Sequence, residues 1–331
     1  MLDDMVDKNR GLFLVWKKYQ RRPEVLAPLI NCQLKFIPHL FKSKYLRPLD
    51  YLIKLIVSLK DITLKKPDFV VAQCPPTYSV LPAWITKTPY IIDAHNPLFQ
   101  VQMWQKLPLT KTLLQNTLAI IVHNSEMFQL VQNIYPDAKL FTICDPIQAI
   151  ATASPQQRSE DRILVIASFD PWDEPVELLI ETMGKLSEYK FIITADINKL
   201  DPETAAKLTR LDNVILTGFL ATEEYHRVLC SSLAALVLTT SDATQPSGAC
   251  EALSSNTQLV ISKTSLTEKL FGEWAVLVEN SSDSIVRAIR ALSLREIDLA
   301  PYRDRWNTSV KREIARLLKS TQTRSDEPIR F

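Results

Sequence analysis

Apolar residues run through the second half of the chain in short near-continuous blocks: RILVIAS (162–168), KFIITAD (190–196), NVILTG (213–218), AALVLT (234–239), QLVIS (258–262) and WAVLVE (274–279). Between them the pattern becomes helical over 174–187, 201–210, 222–231, 248–255, 265–271 and 282–293. Strands that are apolar on both sides belong to a parallel sheet covered by helices on both faces. The pattern predicts a doubly wound α/β domain. The first half repeats it less regularly, with strand-like runs at 11–16, 33–38, 68–73, 90–95, 119–124 and 139–144. A second Rossmann-like domain follows, with a boundary in the polar stretch IATASPQQRSED, 150–161. Residues 302–320 form one amphipathic helix pattern.

The expected organisation is a first domain over 1–155, a second over 156–300, a C-terminal helix over 301–319 packing back on the first domain, and a flexible tail over 320–331. A length of 331 residues suits two domains. The net charge of +2 divides unevenly: residues 1–155 hold 18 Lys/Arg against 11 Asp/Glu, and residues 156–331 hold 21 against 26. A basic first half points to an anionic partner. The segment 35–66 concentrates this charge, with eight Lys/Arg against Asp50 and Asp61 among leucines and aromatics. It reads either as a basic surface for anionic lipid headgroups or as a solvated helix packing its leucines on the sheet. A nearly balanced whole chain without a nucleic-acid module speaks against nucleic acid as a partner.

Five scattered cysteines without metal-ligand spacing fit a reduced compartment, and acidic residues at 3, 4 and 7 do not fit a signal peptide. The expected location is cytoplasmic, peripheral to the membrane if 35–66 binds lipid. There is no Gly-x-Gly-x-x-Gly, no Walker A loop, no His-Glu-x-x-His and no Asp-x-Asp. The expectation is therefore no metal and no cofactor.

In open α/β sheets ligands sit beyond the carboxyl ends of the strands. There TTSDATQPSGACEAL, 239–253, joins a strand to a helix. Ser247, Gly248, Ala249 and the following amides would offer unpaired N–H groups to a diphosphate, and Glu251 would accept from ribose hydroxyls. The same spacing also fits a capped helix. His95 ends a first-domain strand and suits sugar contact or proton transfer, with Asp93 on the same sheet face to orient it; a structural histidine is the alternative. His123 reads similarly, beside the helix caps Asn124 and Ser125. CPPT, 74–77, reads as a rigid turn whose Thr77 caps the next helix.

With these residues in view, the sequence resembles the GT-B glycosyltransferases, especially the family 4-like group and the chitobiosyldiphosphodolichol β-mannosyltransferases. The likeness runs through NVILTGFLATEEYHRVLCSSLAALVLTTSD, the PSGACEAL segment, IIDAHN, QCPPT and SFDPWDEPVELLIE. It implies a GT-B α/β fold and a hexosyltransferase-type, metal-independent enzyme (EC 2.4). The donor would be a nucleoside-diphosphate sugar held by Glu251, Ser247, Gly248, Ala249, Ser168 and Gly218. The acceptor would be a polysaccharide or lipid-linked glycan. Catalytic candidates are His95, Asp93 and Asp242; phosphate or acceptor contacts are Arg21, Arg22, Thr77, Asn96 and His123. Two departures stand out. Ala243 replaces the first carboxylate of the family's Glu-x7-Glu pair, and Ser168 with Asp173 and Glu174 replaces its diphosphate-gripping Arg and Lys. A binding module without turnover and a GT-B-fold sugar epimerase are the alternatives.

Overall fold

The computed structural model describes residues 11–41, 43–150, 158–169, 173–242, 244–295 and 297–322. Ala243, residues 170–172 of the SFDPWDE segment and residues 323–331 of the expected tail lie outside them. The chain divides into two compact units. One comprises residues 1–146 with 307–331, the other 147–306.

In the first unit six strands, β1 (Gly11–Val15), β2 (Cys32–Phe36), β3 (Phe69–Cys74), β4 (Tyr90–Ala94), β5 (Ala119–Val122) and β6 (Leu140–Thr142), form a sheet ordered β2-β1-β3-β4-β5-β6. The second unit holds β7 (Arg162–Val165), β8 (Lys190–Ile193), β9 (Val214–Leu216), β10 (Ala234–Val237), β11 (Gln258–Ser262) and β12 (Val276–Val278), ordered β12-β11-β10-β7-β8-β9. Every pairing is parallel. The apolar blocks are thus the strands, and they are buried because helices cover both faces: β1, β4, β5, β10 and β11 are buried at every residue. Strand order reverses between β1 and β3 in the first sheet and between β7 and β10 in the second. Such switch points open a crevice for ligands at the strands' carboxyl ends.

The helix Arg47–Lys65 departs from the expected packing. Asp50, Lys54, Ser58 and Ile62, four residues apart and so on one face, are the buried positions. Asp50 accepts from the Leu40 amide at 2.9 Å and lies 2.8 Å from His39. Lys54 donates to the Trp16 carbonyl at 2.8 Å, and the Trp16 indole donates to Ser58 at 3.1 Å. Burial pulls the Lys54 ammonium down to about 8, against the attraction of Asp50. Tyr51 and Leu55 still pack on the core, but Leu49, Leu52 and Ile56 are exposed, with Tyr45 just before them at 94%. Polar side chains therefore anchor this helix while several of its leucines face outward. No helix among the described residues is long and apolar enough to cross a membrane.

Candidate functional site

Each unit gathers chemistry at the carboxyl ends of its central strands. In the first unit Asp93 and His95 follow one another along β4 and its exit, as strand alternation requires for side chains on one face. His95 Nε2 stands 3.6 Å from Asp93 Oδ2 and 2.5 Å from the Gln73 amide nitrogen, which also reaches Gln20 Oε1. His123, from the end of β5, places Nε2 3.9 Å from Asp93 Oδ1 and its ring edge-on to His95 at 4.4 Å between centroids. Its Nε2 is buried without a hydrogen-bond partner.

Arg22 fixes the cluster from beneath. It is buried, donates to Asp93 through Nη2 at 3.0 Å, to Asp145 through Nη1 and to the Ile143 carbonyl at 2.9 Å. Burial alone would raise the Asp93 carboxyl, but the Arg22 guanidinium, with His95 and His123, holds it well below the usual carboxylate range. Burial, with the positive charge of Arg22 beside it, keeps the His123 imidazole well below its ordinary value. An ionised Asp93 beside His95 can steady an imidazolium, so His95 is placed to take up or release a proton.

Arg22 therefore does not act as the expected phosphate contact, because its guanidinium is already held on two carboxylates inside the unit. Thr77 is corrected as well: it is fully buried, makes no helix cap, and its hydroxyl faces the Trp104 carbonyl at 3.5 Å. The helix Ser125–Ile134 is capped by Asn124, which accepts from the Met127 amide at 2.8 Å. Arg21 starts the helix Arg21–Leu29, and Asn96 precedes the short helix Pro97–Gln100. Asp93, His95 and His123 bring a metal-type donor set within 4.8 Å. The guanidinium on the same carboxylate opposes a second cation there.

In the second unit, the helix Ser247–Ser254 starts just beyond β10 with Pro246 at its N-cap position and no side chain capping it. Glu251 makes no capping box; its carboxylate accepts from the Tyr225 hydroxyl. Gly248 and Ala249 are buried. A Cβ at Gly248 would meet the Ile166 and Val237 methyls at 2.9 Å, so this glycine lets the helix close onto the sheet, a role distinct from the phosphate approach expected of it. Ser247 is exposed at the helix start. Gly218, with φ +65°, turns the chain after β9 beside Phe219, which is 81% exposed. With Asp196, Asn198, Leu216 and Thr217 they line a pocket of about 270 Å³ at the ends of β8 and β9.

The acidic pair after β7 is used internally. Asp173 accepts from the Thr239 hydroxyl and, through its carbonyl, from the Thr240 amide. Glu174 accepts from the Ser168 amide and hydroxyl and from the Phe169 amide. Asp242 is exposed on the turn after β10, in the second unit.

Residues 160–294 match a family model described as glycosyl transferases group 1. That stretch is almost the whole second unit. No curated protein matches the sequence. Among solved structures, TarM aligns over 81% of this chain at 17% identity with a TM-score of 0.59, and the chain spans only 58% of TarM. Anabaena Alr3699/HepE, solved with UDP and glucose, aligns over 96% of this chain and 98% of its own at 14% identity, TM-score 0.60. A glycosyltransferase from Rickettsia africae aligns over 96% and 99% at 12% identity, TM-score 0.62. The fold is GT-B.

Gln20, Gln73, Asp145 and Tyr225 did not stand out in the sequence. Gln73 is the penultimate residue of β3 and carries the same strand-end signal as His95. The other three are recognisable only from the fold.

Proposed function

We propose that this protein is a glycosyltransferase that moves a sugar from a nucleoside-diphosphate sugar to a glycan acceptor without a bound metal. The observation that carries the reading is Glu251, one turn inside an uncapped helix that starts at the switch point between β7 and β10. There a carboxylate suits ribose hydroxyls, because it accepts more than one hydrogen bond, and the helix's first amides suit a diphosphate. The group 1 match over the same residues and the UDP bound in HepE support it. The pocket beside Gly218 and Phe219 suits the base. His95, steadied by Asp93, serves as the proton-transfer or sugar-contacting group. Arg22 on Asp93 argues against a catalytic metal there.

Incubating the full chain and Glu251→Ala with radiolabelled nucleotide sugars, in EDTA, tests the reading. The wild type should transfer or slowly hydrolyse one donor, and E251A should lose roughly 1.5–3 kcal/mol of nucleotide affinity, the worth of hydrogen bonds to a charged group. Donor binding with no turnover at all would favour a binding module. Acceptor-independent release of nucleotide with an inverted sugar centre would favour an epimerase.

The acceptor in this reading is lipid-linked and is met at an anionic membrane surface. Tyr45, Leu49, Leu52 and Ile56 are exposed at helical spacing, continued by Lys60 and Leu64. Leu49 and Leu52 are 44% and 51% exposed, so each forgoes only part of the roughly 1.5–3 kcal/mol that full burial of a leucine is worth, and lipid would recover some of that part. The full chain should co-sediment with phosphatidylglycerol vesicles at low salt, and Leu49→Ser with Leu52→Ser should release it. Equal recovery with neutral vesicles, or none with anionic ones, would remove the membrane from the reading.

A further inference from the structure

A chain of hydrogen bonds ends on His95 and begins at the surface, at the exposed Lys17 just beyond β1. The Lys17 ammonium donates to Gln20 Oε1 at 3.0 Å. Gln73 Nε2 donates to the same oxygen at 2.5 Å and stands 2.5 Å from His95 Nε2. Gln20 Nε2 lies 3.5 Å from that ring nitrogen. A lysine ammonium has three donors and no acceptor, so it can face only an oxygen. Gln20 must therefore turn its carbonyl to Lys17, and Gln73 must turn its amide nitrogen to that carbonyl. The Gln73 N–H group then meets His95 Nε2, which accepts. Turning Gln73 over would set two carbonyl oxygens against each other. Turning Gln20 as well would set an amide NH₂ against the ammonium. The order leaves Gln73 Oε1 buried without a hydrogen-bond partner among the described residues, so Gln20, and not that oxygen, dictates how the Gln73 amide lies. Asp93 does not reverse it. Its Oδ2 is 3.6 Å from His95 Nε2, beyond a hydrogen bond, and Arg22 engages both of its oxygens.

We propose that Lys17, Gln20 and Gln73 are positioning residues that hold neutral His95 with its proton on Nδ1, so that it meets a ligand as a hydrogen-bond donor. A neutral imidazole that accepts at Nε2 carries its proton on Nδ1, because the bond made by one ring nitrogen sets the state of the other. Among the described residues nothing hydrogen-bonds Nδ1, and 18% of the side chain is exposed. The chemistry this recognises is an oxygen lone pair. That the oxygen belongs to a sugar rests on the nucleotide-sugar reading, whereas the tautomer does not. The accepting nitrogen is turned inward onto Gln73, so the neutral ring offers a ligand a donor and no base. The basic stretch after β1 thereby has two tasks. Arg22 holds Asp93, and Lys17 sets the direction of the amides.

Long-range proton–nitrogen correlation spectra of the full chain distinguish a ring nitrogen that carries a proton from one that does not. They are recorded at about pH 8, above the ordinary histidine value of about 6.5, and the His95 signals are those lost in His95→Asn. The wild type should show the proton on Nδ1. Gln73→Met and Gln20→Met keep the length of the side chain and remove the amide, and each should move the proton to Nε2, toward Asp93. Lys17→Met, at the exposed end, should give a mixture of the two forms. A wild type with its proton on Nε2 overturns the proposal, and so does any of the three variants that keeps it wholly on Nδ1. The wild-type spectrum decides even if a variant fails to fold. With the donor found in the radiolabel assay, Gln20→Met should lower turnover about two- to tenfold, the worth of one neutral hydrogen bond, at unchanged nucleotide affinity. A moved proton with unchanged turnover overturns the donor role of Nδ1. Should the tautomers behave as stated while no nucleotide sugar is bound or turned over, the relay stands and the nucleotide-sugar reading falls.

Discussion

Arg22→Met should destabilise the protein by roughly 3–5 kcal/mol, the loss found when one partner of a buried ion pair is removed. The methionine fills much of the same volume, so the loss reports charge and hydrogen bonding more than packing. It leaves Asp93, wholly buried, without the guanidinium that keeps it ionised, and leaves the Ile143 carbonyl without its donor. The pH dependence follows from the signs. Asp93 has a folded pKa depressed below its unfolded value of about 3.9, so its contribution is present above that value and is lost as the pH falls toward the folded one. The gap between wild type and R22M, measured by urea denaturation, should thus be widest near neutrality and narrow below about pH 4. His123 adds an earlier loss in the wild type. Its imidazole is held neutral by burial, so below about pH 6.5 the unfolded chain takes up a proton that the native state refuses. A variant as stable as the wild type at pH 7 would mean that the cluster tolerates an uncompensated carboxylate, and the account of Arg22 given above would be wrong.

His95→Asn should lower turnover by about 10²–10⁴-fold, the usual contribution of a positioned acid or base, while leaving nucleotide affinity nearly unchanged. The separation is the informative part. Glu251 and the helix Ser247–Ser254 belong to the second unit, whereas His95 belongs to the first. A loss confined to turnover would assign His95 to proton transfer or to the transferred sugar. Loss of nucleotide affinity in H95N would assign it to donor binding instead. An unaltered rate would leave it the structural histidine that its hydrogen bond to Gln73 and its place beside Asp93 also permit.

The sheets were legible because a parallel sheet covered on both faces demands apolar residues at every strand position, a demand few other structures make. The expected run at 258–262 is β11 to the residue, and the helices expected at 222–231 and 265–271 are observed over the same residues. Strand ends were read longer than they are: AIIVHN continues past β5 because His123 and Asn124 already belong to the turn and cap. Asp93 and His95 could be paired in advance because alternation along one strand is local. Arg22 could not be understood that way. Its position in the first turn of the helix Arg21–Leu29 resembles a phosphate ligand, and its true partners lie 71 and 123 residues further on. The helix Arg47–Lys65 shows a different limit. Periodicity marks an apolar stripe but carries no sign of which face turns inward, and here Asp50, Lys54 and Ser58 find specific partners that outweigh the leucines. Glu174 illustrates a third: its partners are largely backbone amides, which are identical at every residue and so leave no trace in sequence.

Those long separations of Arg22 also set an order of events. Its guanidinium can meet Asp93 once β4 has docked, but Asp145 lies beyond β6, the last strand of the first sheet. Closing the longer loop carries the larger entropic cost, and during synthesis residue 145 emerges only after every strand of that sheet has been made. The cluster around His95 thus acquires its final charge balance only after every strand of the first sheet has been made, so a ribosome-bound chain cut short of Asp145 would carry all six strands with the clamp half built.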